Sequence, residues 1–200
     1  MVLTHIWGLF AHPEQEWKTI AKENCTIGKC YYSHVMLLAT IPPIAGYIGT
    51  TYVGWQVVTS EVHKLTPESA LWIAILSYLT ILVTVFTIGK LIHWMSQTYD
   101  SKATLPQGIT LAAYTATPLF LMSIMLLYPV LWLNLVLGLP VLAYTVYLLY
   151  TGVPIMMNIT KERGFLFSSA VLAVGLIALI GVLAATVILW DFGAGPVFAS

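Results

Sequence analysis

Five long runs of mainly apolar residues, separated by short polar segments, dominate the pattern of this chain. A helix needs about 20 such residues to cross the hydrocarbon layer of a bilayer, because each residue adds about 1.5 Å. The runs therefore predict an all-α membrane protein, a bundle of five transmembrane helices. The predicted spans are about residues 35–55, 70–99, 107–128, 130–150 and 167–190.

Prolines and polar residues mark where these helices start, bend and end. Thr66-Pro67-Glu68 is typical of a helix start, with proline in the first turn. Pro42-Pro43 lies inside the first run and predicts a kink or a locally unwound turn. Tyr128-Pro129 divides an apolar stretch that is too long for one span, so we expect a tight turn there. Asn158 to Gly164 is predicted to be a polar loop.

Residues 1–34 differ from the five-span domain at 35–190 and are predicted to form a short amphipathic segment. A helix that begins near Pro13 has its apolar side chains on one face and charged side chains on the other. The apolar face is Trp17, Ile20 and Ala21. Such a segment either lies on the membrane surface, inserting Trp7, Phe10 and Trp17, or packs as an arm over the bundle. The two alternatives are compatible.

Composition supports the membrane assignment. Hydrophobic residues make up 59% of the chain and charged residues 8%, whereas soluble domains carry about 25% charged residues. Seven of the eight basic residues fall on one side of the predicted bundle: Lys18, Lys22, Lys29, Lys90, Lys102, Lys161 and Arg163. Only Lys64 falls on the other. Because cytoplasmic loops are enriched in Lys and Arg, we expect a cytoplasmic N-terminus, with residues 191–200 as a tail outside.

The sequence has no motif typical of an active site, and its acidic residues all fall in loops or at span ends. We therefore expect a protein that is not an enzyme and needs no cofactor. Ion pumps and proton-coupled transporters usually place ionisable groups at mid-membrane, so the pattern counts against that mechanism. Cys25, Cys30 and His34 lack a fourth metal ligand and a familiar spacing, and we expect them to pack without a metal.

Polar side chains at helical spacing in the second, third and fourth runs form the candidate site. They either hydrogen-bond between helices or line a cavity open to the cytoplasm, with Lys90 and His93 at its mouth. We favour the interhelical network. The polar set is Ser77, Thr80, Thr84, Thr87, Lys90, His93, Thr110, Tyr114, Thr117, Tyr144, Tyr147 and Thr151.

Small residues in the fifth run let another helix approach closely. They are Ser169, Ala173, Gly181 and Ala185. The approaching helix belongs either to the same chain or to a second copy in a homo-oligomer.

Three segments resemble those of the Yip family of Ypt- and Rab-interacting membrane proteins. They are HPEQEWKTIAKEN (12–24), Tyr114–Pro118 and Tyr147–Pro154. The resemblance covers about residues 5–190 and is closest to bacterial inner-membrane members. It implies a five-helix domain in the bacterial inner membrane, with a cytoplasmic N-terminus and a periplasmic C-terminus. The matching residues are expected to be structural: Pro13, Trp17, Tyr114, Pro118, Tyr147, Gly152 and Pro154.

In eukaryotes the family is linked to Rab GTPases, vesicle traffic and membrane shaping. We expect a scaffold or adaptor that organises lipid or partner proteins. The alternative is a small transporter or channel that uses a polar cavity in the cytoplasmic half. Expected partners are the lipid bilayer and either another membrane protein or a second copy. Nucleic acid is not expected, because eight basic residues balance eight acidic ones.

Overall fold

The structure, a computed structural model, describes residues 2–23, 26–56, 61–99, 101, 103–191 and 195–199. Two short helices, α1 (Val2–Ala11) and α2 (Pro13–Lys22), come first. Five helices follow that are long and apolar enough to cross a membrane. They are α3 (Tyr31–Val53), α4 (Pro67–Tyr99), α5 (Leu105–Leu127), α6 (Leu131–Met157) and α7 (Lys161–Ile188). The predicted fold class, an all-α bundle of five such helices, is confirmed.

Local sequence explains where these helices begin. The Thr66 hydroxyl accepts a hydrogen bond from the Ser69 amide, and Pro67 occupies the first turn of α4. Thr160 caps α7 in the same way, accepting from the Arg163 amide. Residues 161–164 therefore belong to the first turn of α7, and the polar loop predicted there is shorter than expected.

Prolines interrupt two of the long helices. α3 breaks at Ala39–Thr40, and Thr40 is two residues before Pro42, as the proline pair predicted. Wider π-helical turns occupy its two ends, Tyr31–Val35 and Gly49–Val53. α5 breaks at Ala116, two residues before Pro118. The predicted turn at Tyr128-Pro129 is also confirmed, because α6 begins at Leu131.

α5 lies at the centre of the bundle. Its residues from Gly108 to Thr115 are all buried. α4 approaches it closely because two glycines face each other across the contact. A Cβ on Gly89 would lie 2.6 Å from the Cα of Ile109, and one on Gly108 would lie 2.5 Å from the carbonyl oxygen of Gly89. This close approach fixes which face of α4 is buried.

The bundle is packed at one end and open at the other. We call the packed end the basic end, because it holds Lys22, Lys90 and Lys161. At the opposite end, residues 131–147 of α6 and 172–188 of α7 include no buried side chain. Apart from Tyr144, which contacts α1, these stretches are apolar and in a bilayer face lipid or another protein. Ala173, Gly181 and Ala185 are exposed within them, and their role in a homo-oligomer stays a prediction.

Short backbone contacts join two segments at the opposite end. The Thr66 amide donates to the Val197 carbonyl (2.9 Å), and the Ala199 amide donates to the Lys64 carbonyl (2.9 Å). Trp55 and His63 form a similar isolated bridge. The last described residues, 195–199, are thus attached to the segment that precedes α4.

Candidate functional site

The site begins with α1 and α2, which fold into a hairpin that we call the arm. Trp17 of α2 is fully buried. Its indole fills a gap above Gly152 of α6, where an added Cβ would lie 2.6 Å from the indole Cε2. The Tyr114 ring of α5 meets the same indole edge-on, with ring centroids 6.4 Å apart. Trp17 therefore anchors the arm between α5 and α6.

A second anchor lies near the tip of the arm. The Tyr144 hydroxyl of α6 donates to the carbonyl oxygen of Leu9 at 2.6 Å. The Phe10 ring stacks on the Tyr144 ring, with centroids 5.3 Å apart. Leu9 itself is fully buried. Together with Trp17, these contacts hold both helices of the arm against the bundle.

An ionic group closes the arm on itself. His5 Nδ1 lies 2.5 Å from a carboxylate oxygen of Glu16, and Nε2 lies 3.3 Å from a carboxylate oxygen of Glu23. The His5 side chain is 7% exposed. The contact with Glu16 is a hydrogen bond, and the contact with Glu23 is at ion-pair distance. This group therefore ties α1 to α2 where they meet the bundle.

Deeper in, α3 joins the same cluster through His34. His34 is fully buried, and its Nε2 lies 2.9 Å from the hydroxyl oxygen of Thr117. The Tyr114 ring lies between the two histidines, 4.1 Å from the His34 ring and 5.6 Å from the His5 ring, centroid to centroid. We call His5, Glu16, Trp17, His34, Tyr114 and Thr117 the arm cluster.

Three buried polar atoms of this region have no hydrogen-bond partner in the described structure. They are Trp17 Nε1, His34 Nδ1 and Thr115 Oγ1. Burial of an unpaired polar atom costs about 1–3 kcal/mol. The core around Tyr114 therefore contains polar groups without hydrogen bonds, which an all-apolar core would not have. It also depends on the arm for its packing, because Trp17 belongs to the arm.

The exposed side of the arm carries charged and apolar groups. Lys18 donates to Glu14 at 3.0 Å, and this hydrogen bond with its positive charge holds the pKa of Glu14 below its usual value. Trp7 is 75% exposed and Phe10 44%. The prediction that Trp17 inserts into the membrane is wrong, because its indole is enclosed by the bundle; Trp7 and Phe10 remain on the surface.

The structure divides the predicted polar set. Thr110, Tyr114 and Thr117 are buried on α5, and Tyr144 contacts the arm. On α4, Thr80, Thr87 and Lys90 are exposed, and Thr84 is half-buried. Helix α4 thus does not bring its threonines to the polar groups of α5 and α6.

The remaining members of the polar set bond locally. The Ser77 hydroxyl donates to the Ala74 carbonyl of its own helix (2.9 Å), and Thr151 donates to the Tyr147 carbonyl (2.8 Å). His93 Nδ1 lies 2.9 Å from the Ala103 carbonyl, and Tyr147 is exposed. Lys90 lies over the Phe86 ring, 5.9 Å from its centroid.

Most of the matching residues in the three resembling segments lie at contacts of the arm, at a helix start or at a helix break. Pro13 opens α2, Pro118 follows the break in α5, and Gly152 receives Trp17. Pro154 packs against Gly164 of α7, where an added Cβ would lie 2.9 Å from the proline Cβ. Their structural role stays a prediction.

Sequence reasoning missed three members of the arm cluster: His5, Glu16 and His34. His5 and Glu16 are 11 residues apart, and His34 and Thr117 are 83 apart. The predicted helix start near Pro13 gave no indication that a second short helix precedes it and folds back on it. Among the described residues no group of three His, Cys, Asp or Glu side chains could hold a metal ion. Cys25 and the side chain of Cys30 lie outside the described part.

Residues 7–183 match the family model of the Yip1 domain. The chain is 44% identical, over 191 residues, to the inner membrane protein YohC of Escherichia coli strain K12, covering 96% of this chain and 98% of that protein. The same values hold for the inner membrane protein YohC of E. coli O6:H1 strain CFT073. No solved structure matches the chain at a significant level.

Proposed function

The chain belongs to the Yip1-domain family of integral inner-membrane proteins, and from this premise we propose that it is a non-enzymatic scaffold or adaptor. In this proposal the bundle holds a fixed position in the membrane and organises lipid or partner proteins around it. The observation that carries the proposal is the docked arm, whose apolar face fills the interior of the basic end.

The interior of the basic end supports a static role. Trp17, Leu111, Leu148, Val153 and Phe167 are each fully buried there, at the depth where a transported solute would need space. The cavity beside the arm, lined by Ile20, Thr104 and Gln107 among others, measures about 220 Å³ and opens at the surface. A filled interior is compatible with a scaffold, whereas a carrier needs a path through it.

The position of the arm relative to the membrane interfaces supports a role in binding. Trp72 and Trp94 are exposed and lie 22 residues apart on α4, about 33 Å at 1.5 Å per residue. Such a separation suits the two interfaces of a bilayer. The arm lies at the Trp94 end, which we propose faces the cytoplasm because it holds the basic residues. Trp7 and Phe10 would then meet the inner lipid interface or a partner there.

The test is site-specific photo-cross-linking in native membranes. A photoreactive amino acid in place of Trp7 should give a reproducible adduct with one protein or one lipid class. The same group in place of Leu9, which is buried on the same helix, should give no external adduct. Absence of any reproducible adduct at position 7, or solute flux by the purified protein in vesicles, would argue against a scaffold.

A further inference from the structure

A groove at the opposite end of the bundle has features of a lipid site. It measures about 610 Å³ and lies between the first turns of α4 and the C-terminal segment. The residues that line it are Thr66, Glu68, Ser69, Trp72, Ile73, Leu76, Gly195 and Val197. It is separated from the arm cluster by the length of α4.

Hydrogen bonds fix the walls of the groove. The Thr66 amide donates to the Val197 carbonyl at 2.9 Å, and the Val197 amide donates to the Ser69 hydroxyl at 3.0 Å. These bonds use the polar groups of the wall residues. The Glu68 carboxylate remains exposed and has no ion pair among the described residues. One acidic group is therefore available at the mouth of the groove.

The chemistry of the groove changes along α4 from charged to apolar. Glu68 and Trp72 are four residues apart, so they share one face of the helix. The Trp72 side chain is 61% exposed. A carboxylate beside an indole ring is the pairing that attracts an ammonium group, by charge and by cation–π attraction. Ile73, which follows Trp72 directly, and the half-exposed Leu76, one turn further, offer an apolar surface.

We propose that this groove binds a phospholipid whose headgroup carries an ammonium. The ammonium lies between Glu68 and Trp72, and an acyl chain lies along Ile73 and Leu76. Trp72 and Leu76 are about 6 Å apart along the helix axis, which suits the step from headgroup to acyl chain. The occupant is a lipid rather than a soluble amine because the groove continues onto this apolar surface. The proposal deepens the scaffold function and rests on it, since it names the lipid that the scaffold holds.

The experiment uses the full-length protein, purified in detergent and stripped of lipid. It is mixed with equal amounts of phosphatidylethanolamine and phosphatidylglycerol, and bound lipid is counted by native mass spectrometry. We expect phosphatidylethanolamine to be preferred about threefold to tenfold, the size of effect that one cation–π contact gives. Glu68→Gln and Trp72→Leu should each abolish the preference. Free ethanolamine in excess should not displace the lipid, and displacement would assign the site to a soluble amine instead.

Trp94→Leu is the matched control, because Trp94 is 71% exposed at the other end of the same helix. This variant should keep the preference. Equal retention of both lipids, or a preference that survives both Glu68→Gln and Trp72→Leu, would overturn the proposal. Neither result would change the outcome of the cross-linking test at Trp7. A wrong lipid site and a wrong scaffold function are therefore distinguishable.

Discussion

Tyr114 is the residue at which the separate segments of the bundle meet. Its ring contacts His5 of α1, Trp17 of α2 and His34 of α3, which come from three different parts of the chain. The side chain is 5% exposed. The packing of such a residue depends on the position of all three segments. We therefore regard Tyr114 as positioning the arm cluster, in agreement with its place in the Tyr114–Pro118 segment.

Thr117 and Thr80 offer a test at the residue scale, because both belong to the polar set but only Thr117 is buried. Thr117→Val removes the hydroxyl that pairs with His34 Nε2 and leaves both ring nitrogens unpaired. We expect a loss of about 1–3 kcal/mol in stability and a lower melting temperature in detergent. Thr80→Val keeps a similar shape at an exposed position and should change stability by less than about 0.5 kcal/mol. Equal losses in the two variants would contradict the packing described for His34.

At the scale of the helices, α4 shows why the polar set was only partly predictable. In its basic half, the buried face is Val85, Gly89, Ile92 and Ser96. At 100° per residue, this face lies about 130° away from Ser77, Thr80, Thr84 and Thr87. The close contact at Gly89 determines which face of α4 is buried. The hydroxyls do not need a partner on another helix, because each can donate to a carbonyl of its own helix, as Ser77 does. The spacing of the threonines was visible in the sequence, but the partner of Gly89 on α5 was not.

The placement of the arm was also only partly predictable from the sequence, because its contacts are long-range. Sequence pattern predicted the buried face of α2, since Trp17 and Ile20 are both enclosed. It left two placements open, on the membrane surface or against the bundle, because amphipathicity is the same in both. The Tyr144 hydroxyl that holds Leu9 comes from 135 residues away. Such contacts depend on the tertiary arrangement and have no local signal.

Docking of the arm can be tested with Gly152→Ala. The added methyl group would overlap the Trp17 indole, and overpacking of this kind costs about 1–3 kcal/mol. We expect the arm to undock more often and trypsin to cleave after Lys18 and Lys22 at least about fivefold faster, measured by mass spectrometry. Gly138→Ala on the same helix is the control, because no atom lies within 4 Å of its added Cβ. Unchanged cleavage in Gly152→Ala would show that Trp17 is not held against α6.

At the scale of the whole molecule, the bundle combines a packed basic end with an open opposite end. The five long apolar helices and the family were predictable from sequence, because length, hydropathy and motif order are local properties. The unequal packing was not, since residues 131–147 and 172–188 are as apolar as the buried stretches. Hydropathy does not distinguish a side chain that faces lipid from one that faces another helix. An open apolar half of this kind is suited to contacts with lipid or with a second chain.

The proposed orientation of the bundle rests on the unequal charge of its two ends and is open to a direct test. Single cysteines at Lys161 and Lys64 are placed in a background where Cys25 and Cys30 are replaced by serine. Both positions are exposed, so reactivity reports the side of the membrane rather than burial. An impermeant thiol reagent added outside spheroplasts should label position 64 and spare position 161, which should react only after the membrane is opened.

Moving the charge tests the cause of this orientation. Neutralising Lys161 and Arg163 while adding two lysines near Glu61 should produce mixed labelling, because loop charge directs insertion. Labelling of position 161 in sealed spheroplasts with the native charges would reverse the orientation and place the arm cluster on the periplasmic side.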